Sequence, residues 1–302
     1  MKTALLFSGQ GAQYVGMGKS LYDNYKEVRS YWDSANDILS FDLKSISFHG
    51  PEEQLTDTSI CQPALYVHGF SIYKILQKAN KLENLTAALG LSLGELTALA
   101  VAQVYDFQTG LRIVAERGRL MQEACKATDG SMASLIGGTQ ELVKELCKNC
   151  DVDMANINCP GQIVISGERF KIEEACNQAK EMAFSRVIPL KVAGAYHSRL
   201  MKSAADAFEK FLASIEFKVP QLKVFTNTTG KAIEDPTEIK KALVKQVVSS
   251  VLWEDCMVNA AKLGIEEFIE CGPGKVLSGL ARRINKDWVV RSVSEFSDWE
   301  NL

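Results

Sequence analysis

The sequence has few histidines and no long apolar run. Three histidines occur in 302 residues, so few side chains can exchange a proton near neutral pH at their ordinary pKa. No stretch approaches the ~18 apolar residues of a membrane span, and the apolar run that ends before Ser8 is too short for a signal peptide. We therefore expect a cytoplasmic protein with no membrane partner.

An excess of charge of one sign and a metal-ligand pattern are also missing. The 34 Lys and Arg residues nearly balance the 37 Asp and Glu residues, for a formal net charge of -3, which gives no support to bulk nucleic-acid binding. Eight cysteines are scattered along the chain, and the one close pair, Cys147 and Cys150, has no second Cys or His pair at zinc-ligand spacing. We expect reduced thiols, no metal and no nucleic-acid partner.

A short stretch in the first third of the chain suits a reactive serine. An apolar run over residues 87–89 meets Gly-Leu-Ser-Leu-Gly at positions 90–94, and a helix-compatible run follows. This context is typical of a nucleophile elbow, a turn so tight that only small residues fit beside the serine, here Ser92. The alternative is an ordinary strand–turn–helix junction in which Ser92 only caps the helix.

Strand-like and helical segments alternate over most of the chain. This alternation predicts an α/β fold, with an α/β-hydrolase-like large domain and a mostly parallel sheet over residues 1–128 and 194–302. Residues 129–193 have the order β-α-β-β-α-β of a ferredoxin-like unit. We interpret them as a small subdomain inserted into the large one, and we expect a cleft between the two.

A predicted helix over residues 108–126 places one arginine in an unusual position. The helix has an apolar stripe and an opposite charged face, and Arg117 lies at the edge of the apolar stripe, next to Gly118. A permanently charged guanidinium in that place needs an anionic partner. Spacing alone favours a structural ion pair with a protein carboxylate and leaves an anionic ligand as the alternative.

A serine hydroxyl needs a base within hydrogen-bond reach to act as a nucleophile at neutral pH. His68 lies in an apolar-rich segment and is expected to be a packed core residue, and His49 is expected in a surface loop. His197 lies in a small-residue loop at the edge of the predicted cleft and follows Ser92 in the chain, as the base does in α/β-hydrolases. His197 is therefore the candidate base. Because no Asp stands out as a third member, a backbone carbonyl can orient it instead.

Two backbone amides are candidates for an oxyanion hole. The amide of Leu93, directly after the serine, lies at the start of the predicted helix, where N–H groups are unpaired. The glycine-rich loop after the first strand can turn another amide, that of Gln10, toward the same point. Losing one such donor usually costs ~3 kcal/mol of transition-state stabilisation.

Six motifs, taken together, carry a family resemblance. In chain order they are Phe7-Ser8-Gly9-Gln10-Gly11-Ala12-Gln13, Gly90-Leu91-Ser92-Leu93-Gly94-Glu95, Arg117-Gly118, Asn156-Ile157-Asn158-Cys159-Pro160-Gly161-Gln162, Gly194-Ala195-Tyr196-His197-Ser198 and Gly272-Pro273-Gly274-Lys275-Val276. Over about residues 3–285 the chain resembles the malonyl-CoA:acyl-carrier-protein transacylases and the related acyltransferases of polyketide synthesis. Six ordered matches are far more specific than a single Gly-x-Ser-x-Gly.

The resemblance implies a role for each matched position. Ser92 would be the nucleophile that becomes malonylated, and His197 would be its general base and acid. Arg117 would grip the free malonyl carboxylate. The backbone N–H groups of Gln10 and Leu93 would form the oxyanion hole.

The resemblance also implies how the base is held and what the protein binds. In the family a backbone carbonyl just before a tryptophan orients the base, which here places it on Leu252, ahead of Trp253. Asn156 and Asn158 would lie in the substrate cleft. The substrates would be malonyl-CoA and the phosphopantetheine thiol of acyl carrier protein, with no cofactor, and the enzyme is expected to be a monomer.

Two positions depart from the family pattern: Leu91 stands where a histidine is usual, and Ser8 where a proline is usual. Leu91 removes a polar neighbour of Ser92, which leaves His197 as the candidate base. The Ala-Tyr-His at positions 195–197 resembles the Ala-Phe-His of malonyl-selective polyketide acyltransferases, which favours malonyl as the acyl group.

Other functions stay open at this point. A serine hydrolase that clears stalled acyl groups would use the same elbow, although Arg117 argues against uncharged acyl chains as its substrates. A non-catalytic docking module for carrier protein would not need to keep Ser92, His197 and Arg117 together. The sequence also does not separate fatty-acid synthesis from polyketide synthesis.

Overall fold

Strands and helices alternate along the chain, as the hydrophobic pattern predicts. The structure, a computed structural model, describes the backbone of residues 2–301 and the side chains of residues 2–298. Its strands are β1 (Lys2–Phe7), β2 (Leu85–Gly90), β3 (Gly130–Ile136), β4 (Asp153–Cys159), β5 (Gln162–Glu168), β6 (Arg186–Pro189), β7 (Lys223–Val224), β8 (Val251–Leu252), β9 (Ile265–Cys271) and β10 (Val289–Val293).

The helices pack on these strands and carry most of the chain between them. They are α1 (Lys19–Asn24), α2 (Lys26–Ile38), α3 (Leu43–His49), α4 (Glu52–Thr56), α5 (Thr58–Lys78), α6 (Leu93–Val101), α7 (Phe107–Ala127), α8 (Gln140–Cys150), α9 (Arg169–Glu181), α10 (Lys202–Ala213), α11 (Pro236–Val247), α12 (Trp253–Ala261) and α13 (Val276–Ile284). Short 3-10 helices span Arg199–Met201 and Phe296–Asn301.

One five-stranded sheet, the parallel sheet, has the strand order β10-β9-β1-β2-β7, and its strand pairs are parallel. The predicted α/β fold with a mostly parallel sheet is therefore confirmed. In the register of this sheet, Phe7 pairs with both Gly90 and Cys271. The carboxyl ends of β1, β2 and β9 consequently lie side by side, where parallel α/β sheets bind ligands.

Alternate residues of the central strand β1 face two different apolar cores. Leu5 and Phe7 belong to the larger core, whereas Ala4 and Leu6 belong to the core on the other face of the sheet. A sheet covered on both faces produces this pattern, because successive side chains of a strand point to opposite sides. The residues at the end of β1 are held firmly on both sides as a result.

The second five-stranded sheet, the mixed sheet, has the strand order β6-β3-β5-β4-β8. The first four strands form antiparallel pairs, and α8 and α9 fall at the predicted places between them. The fifth strand, Val251–Leu252, pairs in parallel with β4 and comes from outside residues 129–193. The sequence did not predict this strand, because two residues are too few to show an alternating pattern.

Three predictions about single elements can be compared directly with the structure. The helix expected over residues 108–126 is α7, Phe107–Ala127. His68 is fully buried, as expected of a core residue. The placement of His49 in a surface loop is wrong, because it is the exposed last residue of α3.

Two sequence-based expectations concern membrane-spanning helices and metal-binding clusters. In residues 2–301, none of the helices has the length and apolar character needed to cross a membrane. Cys147 and Cys150 are buried free thiols at the end of α8. No group of three or more His, Cys, Asp or Glu residues in the same part of the chain is placed to hold a metal ion.

Candidate active site

Ser92 occupies a sharp turn between β2 and α6. Its φ of 54° and ψ of -105° lie in a region that residues other than glycine rarely adopt. A Cβ on Gly90 would lie 1.8 Å from the backbone carbonyl carbon of Gly94, and a Cβ on Gly94 would lie 2.1 Å from the carbonyl oxygen of Phe7. The turn therefore has the crowding of a nucleophile elbow. Ser92 makes no side-chain capping hydrogen bond, so the capping interpretation is wrong.

His197 lies directly against the serine. Its Nε2 is 2.7 Å from Ser92 Oγ, and its Nδ1 is 2.8 Å from the backbone carbonyl oxygen of Gln246. Because a carbonyl oxygen only accepts, Nδ1 must carry the hydrogen, which leaves the Nε2 lone pair free to accept the serine proton. The two groups have the geometry of a nucleophile and its general base.

The predicted role of Leu252 as the carbonyl that orients His197 is wrong. Gln246 takes that place, since it lies in the last turn of α11, where carbonyl oxygens have no N–H donor four residues further along the helix; the Ser249 N–H reaches this oxygen only over 3.4 Å. Leu252 instead forms part of β8, where it pairs with Ile157, and its N–H donates to the Asn227 carbonyl over 2.8 Å. The expectation that a main-chain carbonyl orients the base is correct, but its position was off by six residues.

The surroundings of His197 keep its imidazole neutral. Burial, together with the nearby positive charge of Arg117, lowers the pKa of His197 to about 4. The hydrogen bond to the Gln246 carbonyl raises this pKa, but by less than the other two effects lower it. At neutral pH the ring is therefore a proton acceptor in almost every molecule. This is the protonation state that a general base requires.

Arg117 is fully enclosed and has amide and hydroxyl partners. Its Nη1 donates to Gln62 Oε1 over 2.8 Å, and its Nη2 donates to Gln246 Oε1 over 2.7 Å and to Ser92 Oγ over 3.1 Å. Its Nε has no hydrogen-bond partner among the described residues. The structural ion pair favoured by helical spacing is therefore wrong, because none of these acceptors is a carboxylate.

The arginine remains a cation at neutral pH. Burial lowers the pKa of Arg117 to about 10, which is still well above neutrality. A buried cation without a carboxylate in contact is costly unless an anion completes the site. The second alternative from the sequence, an anionic ligand, fits this arrangement.

A cavity of about 510 Å³ opens beside Ser92 and His197 and extends between the two sheets. Asn156 and Asn158 of β4 line it from the mixed sheet, and the Asn158 Oδ1 atom has no hydrogen-bond partner among the described residues. The predicted cleft is present, and both asparagines face it.

The two predicted oxyanion donors also line this cavity. Leu93 is the first residue of α6, so its N–H has no acceptor within the helix. Gln10 lies in the loop after β1, and its side-chain Nε2 donates to Thr58 Oγ1 and to Tyr196 Oη, each over 3.3 Å. These side-chain contacts fix the Gln10 side chain at the wall of the cavity that Ser92 also lines. The oxyanion hole itself stays a prediction.

Three buried polar residues of the site escaped sequence reasoning: Gln246, Asn227 and Glu95. Asn227 Oδ1 accepts from the Ser92 N–H over 2.7 Å, and its Nδ2 donates to the Gly90 carbonyl over 2.8 Å. The position of Asn227 just after a predicted strand, at the same sheet edge as Ser92, is the signal that could have found it. Amide side chains without a recognisable motif offer no other signal.

An α/β fold that places a serine and a histidine at one cavity and a buried arginine against the serine hydroxyl is the arrangement of an acyl-transferring enzyme. The family model described as "Acyl transferase domain" matches residues 4–291. Proteins named malonyl CoA-acyl carrier protein transacylase from Staphylococcus aureus (strain MRSA252) and from Bacillus subtilis (strain 168) are each 37% identical to the chain. The first alignment covers 98% of this chain and 97% of the relative, the second 97% and 94%.

Solved structures agree with these relatives. An acyl carrier protein S-malonyltransferase from Vibrio cholerae superposes with a TM-score of 0.95 at 38% identity, over 100% of this chain and 99% of the other. A malonyl-transacylase solved in complex with a type II PKS acyl-carrier protein superposes with a TM-score of 0.96 at 35% identity, over 100% and 98%. The chain belongs to the acyl transferase family and, within it, to the malonyl CoA-acyl carrier protein transacylases.

Proposed function

We propose that the protein moves a malonyl group from malonyl-CoA to the phosphopantetheine thiol of acyl carrier protein, through a malonyl ester on Ser92. The pathway served would be fatty-acid or polyketide synthesis, and one similar structure is a malonyl-transacylase in complex with a type II PKS acyl-carrier protein. One observation carries the proposal: the Nη2 atom of Arg117 lies 3.1 Å from Ser92 Oγ, and the acceptors that the guanidinium contacts among the described residues are amide and hydroxyl oxygens and not carboxylates. An acyl group on that oxygen that ends in a carboxylate would supply the missing anion.

In the first half of the reaction, Ser92 Oγ attacks the thioester carbonyl carbon while its proton passes to His197 Nε2, 2.7 Å away. The negative charge that develops on the carbonyl oxygen would be stabilised by the N–H groups of Leu93 and Gln10. The carbon–sulfur bond then breaks, and the departing CoA sulfur takes the proton from His197. The product is malonyl-Ser92 and free CoA.

In the second half, the phosphopantetheine thiol gives its proton to His197 and attacks the ester carbonyl carbon. The ester bond breaks, and Ser92 Oγ recovers its proton from the imidazole. One thioester has been exchanged for another, so the overall free-energy change is close to zero. Catalysis therefore depends on admitting a thiol and excluding water from the ester.

Selectivity for malonyl would come from Arg117 and from the asparagines of β4. A guanidinium can bind a carboxylate through two parallel hydrogen bonds, which holds the acyl group in one orientation. An acetyl group has no carboxylate and would leave the buried cation unpaired, which penalises it. Asn156 and the unpaired acceptor of Asn158 lie where they can contact the rest of the substrate.

The finer description of the fold belongs to the same proposal. We infer a ferredoxin-like subdomain at residues 129–193, supported by the order β6-β3-β5-β4 of its antiparallel strands. Residues 1–128 and 194–302 would form the α/β-hydrolase-like catalytic domain. Because a single chain supplies every residue of the site, the enzyme would work as a monomer without a cofactor.

Intact-mass analysis with malonyl-CoA, followed by addition of holo carrier protein, tests the proposal. We expect a malonyl adduct on the wild-type enzyme that is lost when carrier protein is added, and no adduct on Ser92→Ala. Release of malonate to water faster than its capture by carrier protein would make the protein a hydrolase. Absence of an adduct with a panel of acyl-CoAs would leave a docking module.

A further inference from the structure

A fully buried glutamate, Glu95, lies beneath the nucleophile turn. Its Oε2 accepts from the Asn227 N–H over 2.9 Å and from Gln246 Nε2 over 2.7 Å. Its Oε1 has no hydrogen-bond partner among the described residues. Glu95 is the third residue of α6, where a glutamate often binds the N–H of the capping residue. Here that N–H, on Ser92, donates to Asn227 instead, so helix capping does not account for the carboxylate.

The stability of the fold does not account for it either. A buried carboxylate with one bare oxygen has lost the hydration of that oxygen and has gained no partner for it. Burial accordingly raises the pKa of Glu95 to about 7. Because neither helix capping nor stability accounts for an ionisable side chain at this buried position, the presence of Glu95 needs another explanation.

The explanation lies in Gln246, the residue that Glu95 holds. The side-chain amide of Gln246 points Oε1 at Arg117 and Nε2 at Glu95, over 2.7 Å in each case. A guanidinium can only donate and a carboxylate can only accept, so these two neighbours, together with the Ser92 carbonyl that accepts from Nε2 over 3.0 Å, determine which end of the amide faces which way. The backbone carbonyl of the same Gln246 orients His197. One residue thus holds both the cation and the base.

We propose that Glu95 is a positioning residue for acyl transfer. By fixing the side chain of Gln246, it holds Arg117 and His197 in the arrangement that reaction at Ser92 requires. The part that concerns malonyl rests on the function proposed above. The part that concerns His197 and Ser92 does not depend on the identity of the acyl group.

Glu95 also sets the charge of the pocket. Three ionisable groups in the described chain act on its carboxylate: Arg117 of α7, Tyr105 of the segment before α7, and Cys256 of α12. Burial raises the pKa of the Tyr105 hydroxyl and of the Cys256 thiol, so both are neutral at neutral pH. Arg117 is then the cation that Glu95 faces across one amide. Ionised Glu95 offsets part of its charge, and protonated Glu95 does not.

Two substitutions separate the hydrogen bonds of Glu95 from its charge. In Glu95→Gln, the new amide oxygen can accept from both Asn227 and Gln246, while the charge is gone. In Glu95→Ala, both hydrogen bonds are lost, and Gln246 Nε2 is left with the longer contacts to the Ser92 carbonyl, over 3.0 Å, and to Asn227 Oδ1, over 3.3 Å. We expect Glu95→Ala to lower kcat/KM for malonyl-CoA by about 10-fold or more, because sub-ångström misplacement of reacting groups is costly. Its preference for malonyl-CoA over acetyl-CoA should fall, whereas Glu95→Gln should retain most of both.

The pH dependence provides a readout that a merely structural role would not change. Below about pH 6 wild-type Glu95 is protonated, so wild type and Glu95→Gln should need the same malonyl-CoA concentration for half-maximal malonylation. Above about pH 8 the ionised wild-type carboxylate repels the malonyl carboxylate, so Glu95→Gln should need less malonyl-CoA than wild type. Coincidence of the two profiles over the whole range would overturn the charge argument, even if Glu95→Ala does not fold.

A fluorophosphonate probe tests the positioning of His197 without any acyl-CoA. Ser92 Oγ attacks the phosphorus, its proton passes to His197, and fluoride leaves. Labelling should be slower in Glu95→Ala than in wild type and near wild type in Glu95→Gln. Wild-type labelling rates in Glu95→Ala, together with wild-type acyl selectivity, would refute the proposal. A wild-type enzyme that reacts with the probe but never takes malonyl would refute the proposed function instead.

Glu270 offers a matched control, because it is also fully buried. Its carboxylate accepts from the N–H groups of Leu277 and Ser278 and from the Ser278 hydroxyl, at the start of α13. Glu270→Gln should therefore lower the Tm by removing charge-assisted hydrogen bonds. It should leave the malonyl-to-acetyl ratio and the pH profile unchanged. A change in either would show that loss of a buried carboxylate anywhere disturbs the site.

Discussion

The Nη2 atom of Arg117 donates to Ser92 Oγ over 3.1 Å, while the same oxygen lies 2.7 Å from His197 Nε2. The hydroxyl that would carry the acyl group thus sits between a permanent cation and a neutral base. Both side chains are buried, and an acyl group on this oxygen would lie next to the guanidinium. The group proposed to select the acyl chain, Arg117, and the group proposed to activate the nucleophile, His197, therefore contact the same oxygen atom.

Replacement of Arg117 should reduce the use of malonyl far more than the use of acetyl. We expect Arg117→Ala to lower kcat/KM for malonyl-CoA by about 100-fold, the effect of losing two hydrogen bonds to a charged group. Acetyl-CoA should change by less than about 3-fold, since it has no carboxylate to bind. Arg117→Lys, which keeps the charge without the planar fork, should fall between the two. An unchanged malonyl-to-acetyl ratio would contradict the assigned role.

The pKa of His197 predicts activity in mild acid. Because burial lowers this pKa to about 4, the imidazole stays unprotonated well below neutral pH. The maximal rate of Ser92 malonylation at saturating malonyl-CoA should be flat from about pH 8 to pH 5 and should fall as the pH approaches about 4. Stopped-flow or quench measurements of adduct formation would show this. A midpoint near the ordinary histidine pKa of about 6.5 would mean that the ring is hydrated.

Buried histidines should also make the fold sensitive to acid. Burial lowers the pKa of His68, as of His197, to about 4, whereas both titrate near 6.5 in the unfolded chain. Between these values the unfolded state binds more protons, so the free energy of unfolding falls as the pH drops from about 6.5 to 4. Each histidine should contribute on the order of 3 kcal/mol to this loss.

His68→Leu isolates one of these contributions. His68 does not line the active-site cavity, and neither of its ring nitrogens has a hydrogen-bond partner among the described residues. The variant should keep the malonyl transfer activity and should lose less stability in acid than wild type does. Urea unfolding at pH 7 and at pH 5 measures the difference. If both proteins lose the same free energy of unfolding between pH 7 and pH 5, His68 is protonated at pH 5 in the folded state and its pKa is not lowered.

Two glycines should respond oppositely to alanine. A Cβ at Gly94 would lie 2.1 Å from the Phe7 carbonyl oxygen, so Gly94→Ala must push β1 and the elbow apart and should cost about 3 kcal/mol or more of stability. Nothing lies within 4 Å of a Cβ at Gly279, inside α13. Gly279→Ala should therefore stabilise the protein by about 0.5–1 kcal/mol. Urea denaturation of both variants checks the pair, and a tolerant Gly94 would contradict the crowded turn.

Much of the fold and the reacting side chains could be predicted from the sequence, because each leaves a local pattern. Periodic apolar residues indicated α7, and glycines on both sides of Ser92 indicated the elbow. The small-residue loop of His197 placed the base at the cleft, where the structure has it.

What could not be predicted depends on contacts between distant segments. No pattern distinguishes the Gln246 carbonyl from other carbonyls near the end of α11, so the partner of His197 was misplaced on Leu252. The favoured ion pair of Arg117 failed for a related reason. Helical spacing shows that a residue is buried, but the identity of its partners comes from other helices, here Gln62 of α5 and Gln246 of α11.

The pairing of β8 with β4 limits how the chain can be cut and recombined. The segment Val251–Leu252 completes the mixed sheet, although it is about 60 residues downstream of the last of the other strands in that sheet. In a chimera that exchanges only residues 129–193 with those of a relative, the relative's β4 would have to pair with the native β8. Exchanges that also include residues 250–252 would keep β4 and β8 from the same protein. Swapping experiments that follow the spatial boundary should therefore yield more soluble hybrids than those that follow the linear one.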